Sequence, residues 1–389
     1  MSGSAGQGRD VMAGRRPTSV MGALRDRWEG FRAGLVADPR FRRFAAGFFL
    51  TRPVARRRTR HLFDLAAGFV YSQVLAAFVR LELVSFLHGS PRTLALIAGQ
   101  TGLSEDRASR LMRAAVALGL AAEGADGRYR LGETGAALVD NDGVLAMIAH
   151  HAMLYEDLAD PVSLLRGERE TGLSRFWSYA GGETDDARAA EDYSRLMARS
   201  QGMIARDVLD ALPLKAHRRL LDIGGGSGAF AMEAARRHAH LSIELVDLPQ
   251  VAKVATRRIA QAGLAGRIAV HEGSFLDGPL PRGADIVTLN RVLHDHDDAA
   301  AVAILRAAHA ALPPGGRIAI AEPMAGTRGA EPAGDAYFGF YLLAMGQGRP
   351  RRFDEIAATM KEAGFGEIRE PATPTPLIVR VATGRRGAA

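Results

Sequence analysis

The sequence predicts an α/β protein: a largely parallel sheet in the C-terminal half, preceded by a helical domain. From Arg218 onward, short strand-like runs alternate with helical patterns to the end of the chain, the mark of a sheet covered by crossover helices. The first of those strands, Arg219-Leu220-Leu221-Asp222-Ile223, runs directly into Gly224-Gly225-Gly226-Ser227-Gly228 and then into a helical pattern through Ala229, Phe230, Met232, Ala234 and Ala235. Glycines in such a turn admit positive φ and let a ligand approach bare backbone, and the helix start offers N–H groups without partners. The spacing Gly224, Gly226, Gly228 is G-x-G-x-G, not the G-x-G-x-x-G of a dinucleotide site. The second strand, through Leu241, Ile243, Leu245 and Val246, ends at Asp247, where doubly wound nucleoside sites keep the acid that grips a ribose.

Composition narrows the classes. A chain of 389 residues holds two domains and a sizeable core. Cysteine is absent, which excludes disulfides, thiolate metal sites and a cysteine nucleophile, and fits a reducing cytoplasm. No uninterrupted apolar run reaches the length of a bilayer span, and the first residues lack the charged-then-apolar layout of a secretory signal. Residues 1–60 hold fourteen arginines and four acids, a net +10, against +7 for the whole chain. The basic character therefore belongs to an N-terminal arm, which favours an anionic surface, lipid or nucleic acid.

In chain order, residues 1–20 are rich in Gly, Ser and Arg and are expected to be disordered. Met21, Leu24, Trp28, Phe31 and Leu35 then fall at helical spacing. Phe41, Phe44, Phe48, Phe49 and Leu50 follow among Arg40, Arg42, Arg43 and Arg52. Large apolar side chains beside arginines suit a membrane interface, or a helix docked on protein with its arginines in solvent. A long helix is expected from His61 to Leu87. Thr93 then opens a helix over Leu94–Gln100, Ser104 caps a second, and Asp126-Gly127 joins strands at Ala121–Glu123 and Tyr129–Leu131. That order reads as a winged helix-turn-helix, which could meet DNA through Arg107, Arg110 and Arg113. Residues 144–210 read as helices linking two domains. His150 and His151, adjacent on one helix, point in different directions, so at most one is expected to face a ligand. Strands are expected near 219–223, 242–246, 268–271, 285–290, 317–321, 365–370 and 376–382, the last two as an antiparallel hairpin.

The runs L-D-I-G-G-G-S-G, E-L-V-D-L-P, L-N-R-V-L-H-D-H-D-D and L-P-P-G-G-R-I-A-I-A-E-P-M, in this order, resemble the class I S-adenosylmethionine-dependent O-methyltransferases, in the branch of the plant caffeate-type and bacterial antibiotic enzymes. The resemblance implies a Rossmann-like S-adenosylmethionine-binding domain over 211–389 and a winged-helix dimerisation domain over 61–145 that binds no nucleic acid. It also implies a helical linker and substrate-cavity segment over 146–210, behind the basic arm of 1–60, and a homodimer. By family position, Asp222 or its neighbouring backbone meets the methionine ammonium, Gly224 and Gly226 pass against the methionine and ribose, Asp247 accepts both ribose hydroxyls, and Leu248 covers the adenine. Gly273-Ser274-Phe275 supplies the third contact; relatives often have an acid where Ser274 stands. Asn290 is a second departure, at a position near the cofactor where plant relatives often carry lysine.

His294 aligns with the family's catalytic base. A neutral imidazole can take a hydroxyl proton near pH 7. Asp295 is adjacent, and Glu322, at the end of the following strand, is a candidate to orient the ring. His296, Asp297 and Asp298 read as a polar helix start. The same cluster could hold a metal, but adjacent residues rarely converge on one ion, and no metal site is expected. His150, Tyr155, Trp177 and Met197 are the expected substrate-cavity residues.

Three further stretches, Leu50–Arg58, Phe63–Gln73 and Asp160–Glu168, resemble the members of this family that methylate carotenoid alcohols in purple photosynthetic bacteria. The acceptor implied is an apolar hydroxylated molecule, an acyclic carotenoid with a tertiary hydroxyl. The resemblance also leaves a bacteriochlorophyllide or a phenolic polyketide as alternatives. A cytoplasmic enzyme that touches an anionic, photosynthetic inner membrane peripherally would meet such a substrate. A reading of another class stays open: a regulator that senses S-adenosylmethionine and binds DNA without turnover.

Overall fold

The computed structural model describes residues 20–180, 201–275 and 278–387, with side chains throughout except at 20 and 177–180. The disorder expected over 1–20 lies outside them apart from Val20. The described residues up to Val74 form one compact unit and those from Leu75 a second.

The first unit is helical. Helix α1 spans Val20–Ala37 and α2 spans Pro39–Gly47. Asp38 caps α2 by accepting from the Arg40 N–H at 2.7 Å, with Pro39 in the first turn, where its missing N–H costs nothing. Helix α3 runs from Arg52 to Arg80 and crosses into the second unit. Trp28 stacks on Phe31, and Phe44, Phe48 and Phe49 form a contiguous ring cluster, yet Trp28, Phe31, Phe44, Phe49, Phe63 and Phe69 are all more than half exposed.

Helix α3 corrects two expectations. Its 29 residues are long and apolar enough to cross a bilayer by length and composition. Counting uninterrupted runs missed this because Asp64, Ser72 and Gln73 punctuate the apolar stretch. And the helix expected from His61 to Leu87 breaks: α3 ends at Arg80, Glu82 takes a left-handed conformation at φ 56°, and a short helix α4 covers Leu83–Leu87. The break turns Leu83, Val84 and Leu87 into the core.

The second unit continues with α5 at Leu94–Thr101 and α6 at Glu105–Ala117, capped by the Thr93 and Ser104 hydroxyls. A hairpin of β1 at Ala121–Glu123 and β2 at Tyr129–Leu131 follows. After α7 at Glu133–Ala136 come α8 at Asp142–Asp157, α9 at Pro161–Arg166, α10 at Gly172–Ala180 and a helix α11 through 201–211.

The seven-stranded sheet comprises β3 at Arg219–Ile223, β4 at Ser242–Asp247, β5 at Ile268–Glu272, β6 at Ile286–Asn290, β7 at Arg317–Glu322, β8 at Phe365–Arg369 and β9 at Arg380–Arg386, in the order β5-β4-β3-β6-β7-β9-β8. All pairings are parallel except those of β9 with β7 and β8. The last strand begins at Arg380, not near 376. Pro371, Pro374 and Pro376 precede it, and proline cannot donate to a ladder in which β9 pairs on both sides.

Alternation along the strands divides the core between two faces. Leu220, Ile243, Leu245, Ala319 and Ala321 pack with Val208 and Leu212, with Phe230 of helix α12 (Ala229–Arg237) and with Ile259 of α13 (Pro249–Gln261). Leu221, Ile223, Val287, Leu289, Ile318 and Ile320 pack on the other face with Ile304 and Leu305 of α14 (Asp298–Ala311) and with Ile356 and Met360 of a later helix, Phe353–Glu362. Strand order reverses between β3 and β6, which leaves a crevice at the carboxyl ends of these strands, where ligands of open α/β sheets collect.

Candidate active site

That crevice is where the sequence places its acids. In register, Asp222 of β3 stands opposite Thr288 of β6, and Asn290 lies two residues further on the same face. The Thr288 hydroxyl donates to Asp222 Oδ1 at 2.7 Å and Asn290 Nδ2 donates to the same oxygen at 3.0 Å. The residue pairing across the reversal thus locks one carboxylate oxygen. The other, Asp222 Oδ2, is buried with no hydrogen-bond partner among the described residues, as is Asn290 Oδ1. Burial pushes the Asp222 carboxyl up to about 7, against the pull of Thr288 and Asn290. Thr288 was not foreseen from the sequence; only the pairing of β3 with β6 reveals it.

Asp247, at the end of β4, accepts from the Gly226 N–H at 2.7 Å and the Leu248 N–H at 2.8 Å. Burial raises it to about 6 despite these donors. The bond to Gly226 ties the glycine loop to the neighbouring strand. Gly224 and Gly226 have φ of 65° and 59°. A Cβ on Gly224 would come within 2.7 Å of Val292, whereas the Cβ direction of Gly226 is open apart from the Gln201 amide at 3.8 Å. Leu248 stands at the start of α13. Gly273, Ser274, Val246 and Leu280 line a cleft beside the ends of β4 and β5. Phe275 packs its ring edgewise against His296 at 5.6 Å between centroids.

His294 sits in a single 3₁₀ turn, Leu293–Asp295, after β6, and is buried. Its Nε2 lies 3.0 Å from Asp295 Oδ1, outside the angles of a hydrogen bond, since that oxygen has no hydrogen-bond partner. Glu322, at the end of β7, accepts the backbone N–H of His294 on Oε1 at 3.0 Å and so ties the turn to the sheet, while its Oε2 is buried without a hydrogen-bond partner among the described residues. Asp297 caps α14 through the Ala300 N–H at 2.8 Å, matching the expected polar helix start.

His150 and His151 do point apart, yet both are engaged. His150 Nε2 lies 2.9 Å from the Tyr341 hydroxyl and His151 Nε2 lies 2.8 Å from that of Tyr337. The two tyrosines sit four apart on a continuous helical segment, a π-helical stretch Pro332–Phe338 followed by α15 at Gly339–Met345. Burial lowers His150 to about 4 and lowers His151 as well, so both bonds join a neutral ring to a phenol. Tyr155 packs edgewise on His151. Of the other expected cavity residues, Met197 and the side chain of Trp177 lie outside the described residues. Tyr337 and Tyr341 carried no sequence signal beyond being aromatic.

The fit to an S-adenosyl cofactor rests on these features: an orphaned carboxylate oxygen at Asp222, an acid at Asp247 tied to the glycine loop, and an open side at Gly226. A parallel sheet of this order with its polar groups at one edge defines a class I methyltransferase fold. Residues 155–366 match the family model of the O-methyltransferase domain, and residues 63–141 that of the O-methyltransferase dimerisation domain. The chain is 44% identical over 338 residues to the demethylspheroidene O-methyltransferase of Cereibacter sphaeroides, covering 86% of this chain and 89% of the relative. It is also 44% identical over 336 residues to the demethylspheroidene O-methyltransferase of Rhodobacter capsulatus, covering 86% and 84%. Among solved structures, CalO1, a methyltransferase in calicheamicin biosynthesis in its SAH-bound form, superposes with a TM-score of 0.72 at 27% identity, over 86% of this chain and 98% of that one. The chain belongs to the O-methyltransferase family, whose methyl donor is S-adenosylmethionine. Its 63–141 segment is a homodimerisation domain.

The buried acid yields a prediction. A carboxyl raised by folding keeps a proton that the unfolded chain releases, so stability falls as pH rises from the ordinary aspartate range to about 7 and stays low above it. Asp222→Asn keeps an acceptor for Thr288 and Asn290 and removes this cost. The cofactor-free variant should be more stable than the parent at pH 8 by at most on the order of 4 kcal/mol, with the gain vanishing near pH 4. Thermal melts across that range measure it.

Proposed function

We propose that the chain methylates the tertiary hydroxyl of an acyclic carotenoid, with His294 as general base. The observation that carries the substrate is the 44% identity, over 86% of the chain, to enzymes named for demethylspheroidene. S-adenosylmethionine, when bound, supplies an electrophilic methyl group on a sulfonium centre. Asp222 offers its free Oδ2 to the ammonium of the amino-acid moiety, Asp247 accepts from the ribose hydroxyls, and Gly224 and Gly226 leave room for the chain between them. Leu248, Ser274 and Phe275 take the adenine end, and Asn290 holds Asp222 in place.

A tertiary alcohol is a weak acid, so its oxygen gains nucleophilicity only if the proton leaves as the bond to carbon forms. Asp295 Oδ1 lies 3.0 Å from Nε2 of His294, and Nδ1, which has no hydrogen-bond partner among the described residues, is the ring nitrogen assigned to take the hydroxyl proton. His150, Tyr155, Trp177 and Met197 are assigned to the acceptor cavity. With both histidines neutral and paired to tyrosines, these two side chains bring no charge to that wall, which suits a hydrocarbon. His294→Ala should lower kcat by about 10²–10⁴-fold and leave S-adenosylmethionine affinity intact. Labelled donor offered with carotenoid alcohols, phenols and chlorins should label the carotenoid; labelling of a phenol or chlorin instead would identify the acceptor as one of those.

The enzyme works from the cytoplasmic side, and the substrate is soluble only in membrane. Residues 21–60 hold eleven arginines and three acids together with the exposed Trp28, Phe31, Phe44 and Phe49. Basic residues near an anionic leaflet contribute about 1 kcal/mol each, and exposed rings insert at the headgroup level. The arm therefore docks peripherally on anionic membrane. Replacing Arg40, Arg42, Arg43, Arg56 and Arg57 with Gln should abolish flotation with anionic liposomes and activity on membrane-embedded carotenoid, while activity on detergent-dispersed substrate survives. Equal flotation of both forms would assign the arm to a protein contact.

A further inference from the structure

The loop that carries His294 is held from a segment far along the chain. Arg351 is among the largest fully buried side chains of the protein. Its Nη1 donates to the Leu293 carbonyl at 2.6 Å and its Nη2 to the His296 carbonyl at 2.8 Å. Its Nε and Nη2 reach Asp298 Oδ1 at 3.0 and 2.8 Å. The guanidinium thus spans the 3₁₀ turn, one carbonyl before His294 and one two residues after it, and anchors both to the first turn of α14. Two residues earlier, the Arg349 N–H donates to the His294 carbonyl at 2.9 Å, and its guanidinium pairs with Asp298 and Glu355. Gly348, at φ 79°, lies so close that a Cβ would run into the His294 carbonyl oxygen. From the other side Glu322 takes the His294 N–H.

We propose that the strap Gly348–Arg351 is the positioning device of the catalytic base, with Arg351 its principal positioning residue; this rests on the reading of His294 as base. A single 3₁₀ turn has few internal bonds: the Leu293 carbonyl takes the His296 N–H at 3.2 Å, and the part-buried His296 carbonyl takes no N–H of the turn. Short of donors, they would draw the turn toward others. A planar fork with fixed donor geometry satisfies both carbonyls and Asp298 at once, so the turn has one arrangement and the imidazole one place. Lysine, whose donors all sit on one nitrogen at the end of a flexible stem, cannot occupy the separate positions of Nε, Nη1 and Nη2. A misplacement of about 1 Å costs on the order of 10² in rate.

The test uses the full-length dimer, with Arg351→Lys, Arg351→Ala and Gly348→Ala. Gly348→Ala displaces the His294 carbonyl and leaves the guanidinium in place. The inference predicts a fall in kcat of about 10²-fold in Arg351→Ala and Gly348→Ala, a partial fall in Arg351→Lys, and calorimetric affinity for S-adenosylmethionine within about twofold of the parent, since Asp222 and Asp247 are untouched. Guanidinium ion added at millimolar concentration should restore part of the rate to Arg351→Ala and none to Gly348→Ala. Independently of turnover, the ring C–H resonance of His294 in ¹³C-histidine-labelled protein, assigned by its loss in His294→Ala, should shift in every strap variant. If folded variants retain parental kcat and an unshifted resonance, the inference is overturned. If Arg351→Ala cannot be obtained folded, Gly348→Ala and Arg351→Lys decide by the same two readouts. A shifted resonance with His294→Ala as fast as the parent would retain the strap as positioning His294 and reject that histidine as base.

Discussion

The arrangement depends on one carboxyl group kept dry where the sheet reverses its order. Parallel strands β3 and β6 meet there, and the pleat brings Asp222, Thr288 and Asn290 to one face. A buried carboxylate is expensive unless its lone pairs are taken, and here only one oxygen is served. The cost shows as a carboxyl raised to about 7. A cationic ligand group at the other oxygen would offset it, so the same group that destabilises the empty fold favours the loaded one. Asp247 follows the same logic one strand over, with its loop bond to Gly226 setting the glycine turn against the end of β4.

His294 and the two buried acids hang on the same edge by different means. Asp222 and Asp247 are strand residues, placed by ladder register. His294 lies on a short turn with no ladder of its own, so other parts of the chain must define it. Glu322 from the end of β7 holds its N–H, the backbone of Arg349 holds its carbonyl, and Arg351 holds the carbonyls around it. Glu322 thus fixes the backbone of His294, and Asp295 lies at its ring.

Legibility in the sequence tracked how local the cause was. The glycine loop, the strand-end acids and the caps at Thr93, Ser104 and Asp297 follow from near neighbours, and the structure has them where the sequence puts them. The start of the last strand was misjudged because three prolines sit inside an otherwise extended, apolar run. The break at Glu82 left no trace, since a glutamate at positive φ looks like any helical glutamate. Apolar spacing overran it. The pairing of His150 and His151 with Tyr341 and Tyr337 joins residues 191 and 186 positions apart, and Arg351 reaches a turn 55 to 58 residues away. No spacing rule encodes such contacts. For the strap, the glycine at 348 beside two arginines was the nearest thing to a signal, and it gains meaning only with His294 against it.

The central claim is that ionised Asp222 receives the ammonium of the methyl donor. Calorimetric titration of the parent protein with S-adenosylmethionine from pH 5.5 to 8.5 tests it most directly. Below about 7 the free protein holds a proton on Asp222 that binding must expel, so affinity should rise with pH through that region, with proton release on binding at pH 6, and then level off. Affinity independent of pH across the range, with no proton released, would contradict the account.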